Sequence, residues 1–532
     1  MAGAATGAWR KRVSRRYAID SLAVRDSRAF GWGWYLDDTA PARTVHLRLR
    51  LADGRTRELR CPQTGSRPDL VEAYPQVAHA GGGGFMLQAR LSAGVVDATL
   101  RVELADGRID EIALPGFPEA YAAETASKSR LQRLWPLLRD GKWHALWRRF
   151  ADWWLRRGAG ASSRAAAVPS ANGARWVVFD HAMGGGSNHF RNEKLAEWRA
   201  AGHDVVLVTP RLSTLEYDIS GIDVRGEAWV QRHPDLTRCL AALGACAQVV
   251  VNDLPSFDDP LRVLDWALAR QREGARILFY LHDFHAACPA WTLIGSDGHD
   301  CGLPAFAQCA RCLPANSAPF LAMLPALDVP EWRRAWGEFL MAADEIVAFS
   351  ASSIGILRRA YPMIDPARIE LRPHSLAYLG AASPAFKPRM GETTIIAVVG
   401  AISEYKGARI VAEMAGLIER EGLPARIVVV GSIDGVPPSE ALRVTGPYRV
   451  ADLSAILERE GVGVALLPSV WHETFSYVTA ELMHCRVPLA VFELGAPAER
   501  VRTYPLGHII SAIDARTALM ESIAFHRSLL RA

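Results

Sequence analysis

Near the amino end, apolar and polar residues alternate in two matching stretches, HLRLRLADGRTREL (46–59) and TLRVELADGRIDEI (99–112). Each reads as a strand, an Asp-Gly turn and a second strand. Period-two alternation marks a half-buried strand, and Asp-Gly tolerates the positive φ of tight hairpins. Residues 16–118 are therefore expected to form a small antiparallel β-sandwich, with AFGWGWYLDD and HAGGGGFMLQARL supplying aromatic core positions and turns. The pattern suits a packing or interaction module. A role in binding a sugar or a partner is open, but no site residue identifies itself.

The period then changes. Within 119–158, Trp143, Trp147, Phe150 and Trp154 recur at helical spacing, and Lys128 to Arg157 holds nine Lys/Arg against two Asp. A basic amphipathic helix with an aromatic face fits either a membrane interface or docking on a neighbouring domain. A basic tail (1–15) precedes the sandwich, and a linker rich in small residues (159–173) follows the helix.

From residue 174 onward, short apolar runs alternate with helical stretches. WVVFDH, DVVLVTP, AQVVVND, ARILFYLHD and EIVAFS form one series, and TIIAVVG, ARIVVVG, GVALLPS and PLAVFE form a second. Such alternation predicts parallel strands with crossover helices. The expectation is two doubly wound domains, 174–380 and 381–532, facing a cleft, with the last helix free to cross back. Ligands of such sheets bind beyond the carboxyl ends of the strands.

Composition narrows the class. The 532 residues carry 61 Lys+Arg against 57 Asp+Glu, a formal charge of +4, which gives no case for nucleic acid as a partner. The amino end lacks the apolar run of a secretory signal, and no stretch is long and apolar enough to be read as a membrane span. A reducing cytoplasm is the expected compartment.

Three strand–loop–helix units carry candidate chemistry. FDHAMGGGSNHF places Gly184, Gly185 and Gly186 before a helix start, where backbone can approach an anion. VVGAISEYKGARIV places Lys406 and Gly407 at the next such start, after Gly400. VALLPSVWHETFSYVTAELM holds Glu473 in the loop and Glu481 eight residues on. At about 100° per residue the two carboxylates lie about 80° apart on a continuous helix. That is no stacked pair for shared proton chemistry, but both can reach one elongated ligand.

These residues form the Glu-x7-Glu motif, and their surroundings resemble family 4 of the retaining GT-B glycosyltransferases, of the bacterial polysaccharide-biosynthesis kind. GGGSNHF, LHDFHAACPAWTL, GAISEYKG, VTGPYRVADL and FELGAPAERV follow in the expected order over 176–510. The resemblance implies a nucleotide-sugar donor on the carboxyl-terminal domain and a glycan or lipid-linked saccharide acceptor on the other. It implies that Glu481 binds ribose, that Glu473 and His282 lie by the transferred sugar, and that Lys406 neutralises the diphosphate. Gly400, Gly407 and the backbone at Thr474 and Phe475 would serve the phosphates, Gly446 and Tyr448 the base. Gly184 to Gly186 and Asp283 would face the acceptor or phosphates. Ala401 stands where many members carry an Arg.

The implied reaction is hexosyl or deoxyhexosyl transfer in cell-surface polysaccharide synthesis, such as the O-antigen of lipopolysaccharide, at the inner face of the cytoplasmic membrane. No Asp-x-Asp clamp stands out, so no catalytic cofactor is expected. A GT-B epimerase or hydrolase, or a degenerate transferase serving as a scaffold, are the alternatives. Cys288, Cys301, Cys309 and Cys312 crowd one segment, and the Cys309-x2-Cys312 spacing suits a structural zinc knuckle, with His285 or His299 able to replace a ligand. Four reduced thiols are the other reading.

Overall fold

The computed structural model describes residues 15–63, 67–77, 79–91, 95–122, 174–223, 225–325, 328–380, 386–388 and 391–529. The basic tail, the basic Trp-rich segment and the linker expected from sequence lie outside them. No described helix is long and apolar enough to cross a membrane.

The amino-terminal unit is a two-sheet sandwich of β1 (Arg15–Arg25), β2 (Arg28–Asp37), β3 (Ala42–Leu51), β4 (Thr56–Cys61), β5 (Gly84–Arg90), β6 (Val95–Leu104) and β7 (Ile109–Ala113), with α1 (Pro68–Ala73) between β4 and β5. The two matching stretches are β3–β4 and β6–β7, and they lie in one sheet, ordered β4-β3-β6-β7. The other sheet is β1-β2-β5. Alternate residues of β3 and β6, Val45, Leu47, Leu49, Leu100 and Val102, point inward and pack against Ile19, Tyr35, Phe85 and Leu87 of the facing sheet.

The second unit runs β8 (Arg175–Phe179), α2 (Gly186–Ala200), β9 (Asp204–Arg211), β10 (Glu216–Ile222), β11 (Ala228–His233), α3 (Leu236–Leu243), β12 (Gln248–Val251), α4 (Pro260–Arg272), β13 (Arg276–Leu281), α5 (Phe306–Ala315), α6 (Val329–Ala342), β14 (Glu345–Ala348), α7 (Ala351–Ala360) and β15 (Ile369–Leu371). Its sheet order is β11-β10-β9-β8-β12-β13-β14-β15. One expectation is corrected here: the sheet is not parallel throughout. β10 and β11 add antiparallel to β9 as a meander. Their residues alternate between covered and open positions, which suits an edge with one face in water, whereas the fully buried β12 could be flanked only by parallel neighbours under crossover helices.

The third unit runs β16 (Thr394–Ile402), α8 (Ala408–Glu421), β17 (Ala425–Ile433), β18 (Leu442–Val444), α9 (Leu453–Arg459), β19 (Val464–Leu467), α10 (Tyr477–His484), β20 (Leu489–Phe492), α11 (Gly495–Val501), β21 (Gly507–Ile510) and α12 (Ala515–Leu529). Its sheet, β18-β17-β16-β19-β20-β21, is parallel throughout. The last helix does not cross back. Ala518, Leu519 and Ile523 of α12 are buried in this unit's own core with Ile396 and Met414.

The carboxyl ends of the two large sheets face each other. The loop after β19 touches the loop after β13, and Gly186, beyond β8, meets Tyr477 at the start of α10. Two doubly wound domains meeting at a cleft, preceded by a small antiparallel domain, is the GT-B arrangement expected from sequence.

The sandwich is fastened to both partners. Phe30 and Met86 share a core with Leu215, Phe320 and Met323 of the second unit. Arg28, only 4% exposed, pairs with Asp258 at 2.5 Å. Arg60 reaches Glu404 of the third unit at 3.0 Å. Removing one member of a buried pair strands the other charge, so Arg28→Ala is expected to cost about 3 kcal/mol. Urea denaturation of the full chain checks it.

Candidate active site

Glu473 and Glu481 sit on either side of a helix start. Glu473, 8% exposed, lies in the loop after β19, where it accepts a short hydrogen bond from the Ser469 hydroxyl. The FELGA turn passes so close to it that a Cβ on Gly495 would fall 2.6 Å from the Glu473 carbonyl oxygen. Glu481, 6% exposed, lies on α10 and accepts from the hydroxyls of Tyr378 at 3.1 Å and Tyr448 at 3.2 Å. Burial raises its carboxyl above the ordinary range, and the two tyrosine hydrogen bonds act the other way.

The residues between them hold the domains together. Thr474 donates to the His282 carbonyl at 2.8 Å. Phe475 leaves its own domain and packs into the aromatic cluster of the second unit with Phe190, Tyr280 and Phe349. Its ring stacks on His374 at 4.4 Å, with the Arg500 guanidinium 5.0 Å from its centre. Among the described residues, neither the Thr474 nor the Phe475 N–H donates to a protein acceptor.

Lys406 lies on a tight turn in which Gly407 donates to Glu404 at 3.1 Å and Ala408 to Ser403 at 3.0 Å. Among the described residues Lys406 forms no ion pair. Gly407 has φ 92°, and a Cβ there would fall 2.1 Å from the Pro468 carbonyl oxygen, so only glycine lets the two loops lie side by side. Gly400 lies two residues before the end of β16, close to Val478 of α10. Gly446 borders open space, and its neighbour Tyr448 joins Glu481 as described. Gly184 and Gly185 also border open space, with Gly185 at the start of α2. Gly186 meets Tyr477, Gly400 meets Val478 and Gly407 meets Pro468, so the loops that carry these residues are neighbours.

Below His282 lies a buried polar network. His282 is 9% exposed, and its Nε2 is 3.1 Å from Asn252 Oδ1. Burial pushes its pKa down to about 4, so the imidazole is neutral near pH 7. Asp253 and Asp283 lie side by side. Burial drives Asp283 well above the carboxylate range, with the Asp253 charge adding to it. Asp253 moves the other way: burial opposes its charge, but the His181 hydrogen bond and the neighbouring imidazoles outweigh that.

Two metal readings were available. Among the described residues, the one convergent ligand set is Asp180, His181 and Asp253, with ligand atoms within 4.8 Å of one another. The Arg191 cation and Asn188 both donate to Asp180 at 2.9 Å, and Ser187 meets the His181 ring, so these atoms are already committed. No three of the sulfurs of Cys288, Cys301, Cys309 and Cys312 lie within 4.8 Å of one another. Instead Cys312 Sγ accepts from the Ser296 N–H at 3.2 Å, while burial, followed by the nearby thiols, pushes Cys288 up to about 12. His285 and His299 join no such set either.

Some participants escaped sequence reasoning. Tyr378 and Tyr477 converge on Glu481 and His374. Glu499 of α11 receives the Ser352 N–H at 2.9 Å and the Ala351 N–H at 3.2 Å, so one domain caps a helix of the other. The acid within FELGAPAERV was the only available signal.

Residues 393–525 match the family model described as Glycosyl transferases group 1. No curated protein matches the chain. Among solved structures, the chain is similar to HepE of Anabaena in complex with UDP and glucose (TM-score 0.41, 11% identity, 66% of this chain and 89% of that one). It is also similar to a glycosyltransferase from Rickettsia africae (TM-score 0.41, 12% identity, 68% and 89%). A third similarity, to TarM (TM-score 0.37, 10% identity), covers 59% of this chain and spans only 57% of that protein.

The buried histidines give a pH test. Burial holds His285 down to about 3, against an ordinary 6.5, and neither ring nitrogen has a partner. The unfolded chain protonates below its ordinary value while the native state does not. This contribution to stability is therefore full above that value and is lost as pH falls toward 3. In His285→Phe it disappears. Between about pH 6 and 4 the native chain is expected to lose about 1.4 kcal/mol per pH unit relative to the variant, read from urea denaturation at stepped pH.

Proposed function

We propose that the chain is a retaining glycosyltransferase that moves a hexosyl or deoxyhexosyl group from a nucleotide sugar to a glycan or lipid-linked saccharide in cell-surface polysaccharide synthesis, such as that of an O-antigen. One observation carries the reading. Two buried carboxylates flank a helix start with unpartnered N–H groups, and a lysine without an ion pair among the described residues lies on the loop after the neighbouring strand, all at the carboxyl end of the third unit's sheet. That is a site built for a molecule with a ribose at one end, a sugar at the other and a diphosphate between.

In this reading Glu481 accepts the ribose hydroxyls in place of Tyr378 and Tyr448, and Gly446 and Tyr448 flank the base. The diphosphate lies against Lys406, Gly400, Gly407 and the N–H groups of Thr474 and Phe475. The leaving group departs with two negative charges, so preorganised donors in a closed cleft are strongest at the moment of bond breaking. Glu473, oriented by Ser469, holds hydroxyls of the transferred sugar and stabilises positive charge at the anomeric carbon. Neutral His282 offers a hydrogen bond there rather than a repelling cation. Gly184, Gly185 and Gly186 leave backbone accessible on the acceptor side, and Asp283 lies below, its carboxyl raised by burial. Attack from the face the diphosphate leaves gives retention without a covalent intermediate. The basic Trp-rich segment 128–157 suits a lipid-linked acceptor at the cytoplasmic face of a membrane.

Glu473→Gln and Lys406→Ala are each expected to lower turnover by about 10²-fold or more, with unchanged melting. The assay screens nucleotide sugars for binding, then runs the hit with candidate acceptors and analyses product linkage. Normal turnover in folded variants would remove the assignment.

A further inference from the structure

A cleft of about 610 Å³ lies beside the site just described, where the sandwich meets both large domains. Its volume is typical of a small-molecule site, about 300–1,000 Å³, yet it contains neither Glu473 nor Glu481. One wall is the outer face of β3 and β4. A second is the loop that follows LHDFHAACPAW. The third is the loop of Lys406, whose neighbours Tyr405 and Gly407 line the cleft.

We infer that this three-sided cleft binds a neutral oligosaccharide, the portion of the acceptor glycan behind the sugar that receives the transfer. The inference rests on the transferase reading for its purpose, but the binding itself is independent of it.

Four observations carry it. The first is charge. Arg43, Arg60 and Arg409 line the cleft together with Glu58, Asp297 and Glu404, so three guanidinium groups face three carboxylates. A site for a nucleotide or a polyanion would not be balanced in this way, whereas a polyhydroxylated neutral ligand uses donors and acceptors equally. The second is an open valence. His46 Nδ1 is buried and has no partner, although the side chain lines the cleft. Burial lowers the pKa of the ring, and a turn of the side chain toward the cleft would bring this unpartnered nitrogen to a ligand hydroxyl.

The third is an aromatic wall. Trp291 and Trp471 stand edge-on to Tyr405 at 5.4 and 5.6 Å and fix it at the cleft. A held aromatic ring is the usual complement to the C–H face of a pyranose, because it is large, rigid and has a polar tip. The fourth is position. Gly407, which lines the cleft, is one residue from Lys406 and packs against Pro468 of the loop that leads to Glu473, so the cleft adjoins the loops of the site described above. The sandwich has no other visible reason to be fastened across both domains, with Arg60 bonded to Ser317 at 3.3 Å on one side and to Glu404 at 3.0 Å on the other.

The test uses the full chain on an array of neutral bacterial and plant oligosaccharides, with anionic oligosaccharides printed beside them. The best binder is then titrated calorimetrically, and UDP, GDP and ADP are titrated in parallel. Neutral oligosaccharides are expected to bind, and His46→Ala to weaken them about tenfold. Arg43→Ala is the second variant: its side chain is 70% exposed, so folding does not depend on it, and it is expected to weaken the same glycan severalfold. Nucleotide affinity is expected to be unchanged in both. Absence of neutral-glycan binding, selection of anionic glycans only, or equal affinity in wild type and both variants each overturns the inference. Nucleotide binding in that case leaves the transferase reading in place. Glycan binding lost in the variants without any nucleotide binding upholds the cleft and removes the transferase reading instead.

Discussion

The burial of one residue, Phe475, organises the rest of the site. It belongs by sequence to the carboxyl-terminal domain and by packing to the core of the other. A phenylalanine contributes about 1.5–3 kcal/mol when taken from water into such surroundings. The aromatic cluster it enters, with His374 stacked on one side, has a defined shape. This fixes how far the two sheets stand apart and which loop ends meet. Glu473, two residues earlier, is drawn to the interface, and Ser476, one residue later, is bent to φ 66° to turn the chain into α10. The Ser476 side chain then caps that helix by accepting from Thr479. The positions of both glutamates follow from the anchor between them.

Across the interface, polar groups are buried at a density that only mutual compensation permits. Asp180, Asp253 and Asp283 lie within one neighbourhood with His181, His282 and His285, all nearly inaccessible. Three carboxylates could not all ionise there. Burial and the Asp253 charge raise Asp283, the His181 hydrogen bond lowers Asp253 against its own burial, and Asp180 rises to about 6, where burial and Asp253 act against His181 and Arg191. The outcome leaves His282, the nearest of the three histidines to the Glu473 loop, without charge. A neutral group beside a centre of developing positive charge does not oppose it.

Much of this was legible in the sequence, and the failures share a cause. The matched hairpins, the two strand series and the glycine loops depend on local period and turn chemistry, which neighbouring residues encode. Glu473, Glu481 and Lys406 converge because each follows a parallel strand, and the rule that such ends form the site needs no coordinates. What stayed hidden was set by distant partners. β10 and β11 read as strands only once an edge is known to be free. Tyr378 reaches Glu481 from across the domain boundary, and nothing near either residue announces it. The cysteine spacing indicated a possible ligand set, but spacing alone does not turn four sulfurs inward. The sandwich showed no site residue because the cleft it lines exists only when three domains meet.

Ala401 remains the sharpest departure from the pattern the chain resembles, and in the proposed transferase reading a diphosphate is neutralised without an arginine there. Ala401 is exposed at the end of β16. Arg409 points into the neighbouring cleft, 3.9 Å from a Cβ built on Gly298, and Arg500 is occupied under the Phe475 ring with the carbonyls of Phe475 and Ser476. Neither lies on the two loops that carry the glutamates and Lys406. What remains is Lys406 and the starts of two helices, α8 at Gly407 and α10 at Ser476. Each helix start carries roughly half a unit of positive charge, so the sum is about +2, close to the charge of the departing group. Half of it resides on backbone held in place by packing, which does not reorganise as charge develops. The glycine at 407 is then as necessary as the lysine before it, because a side chain there would collide with Pro468 and lift the first of those helix starts away from the phosphate.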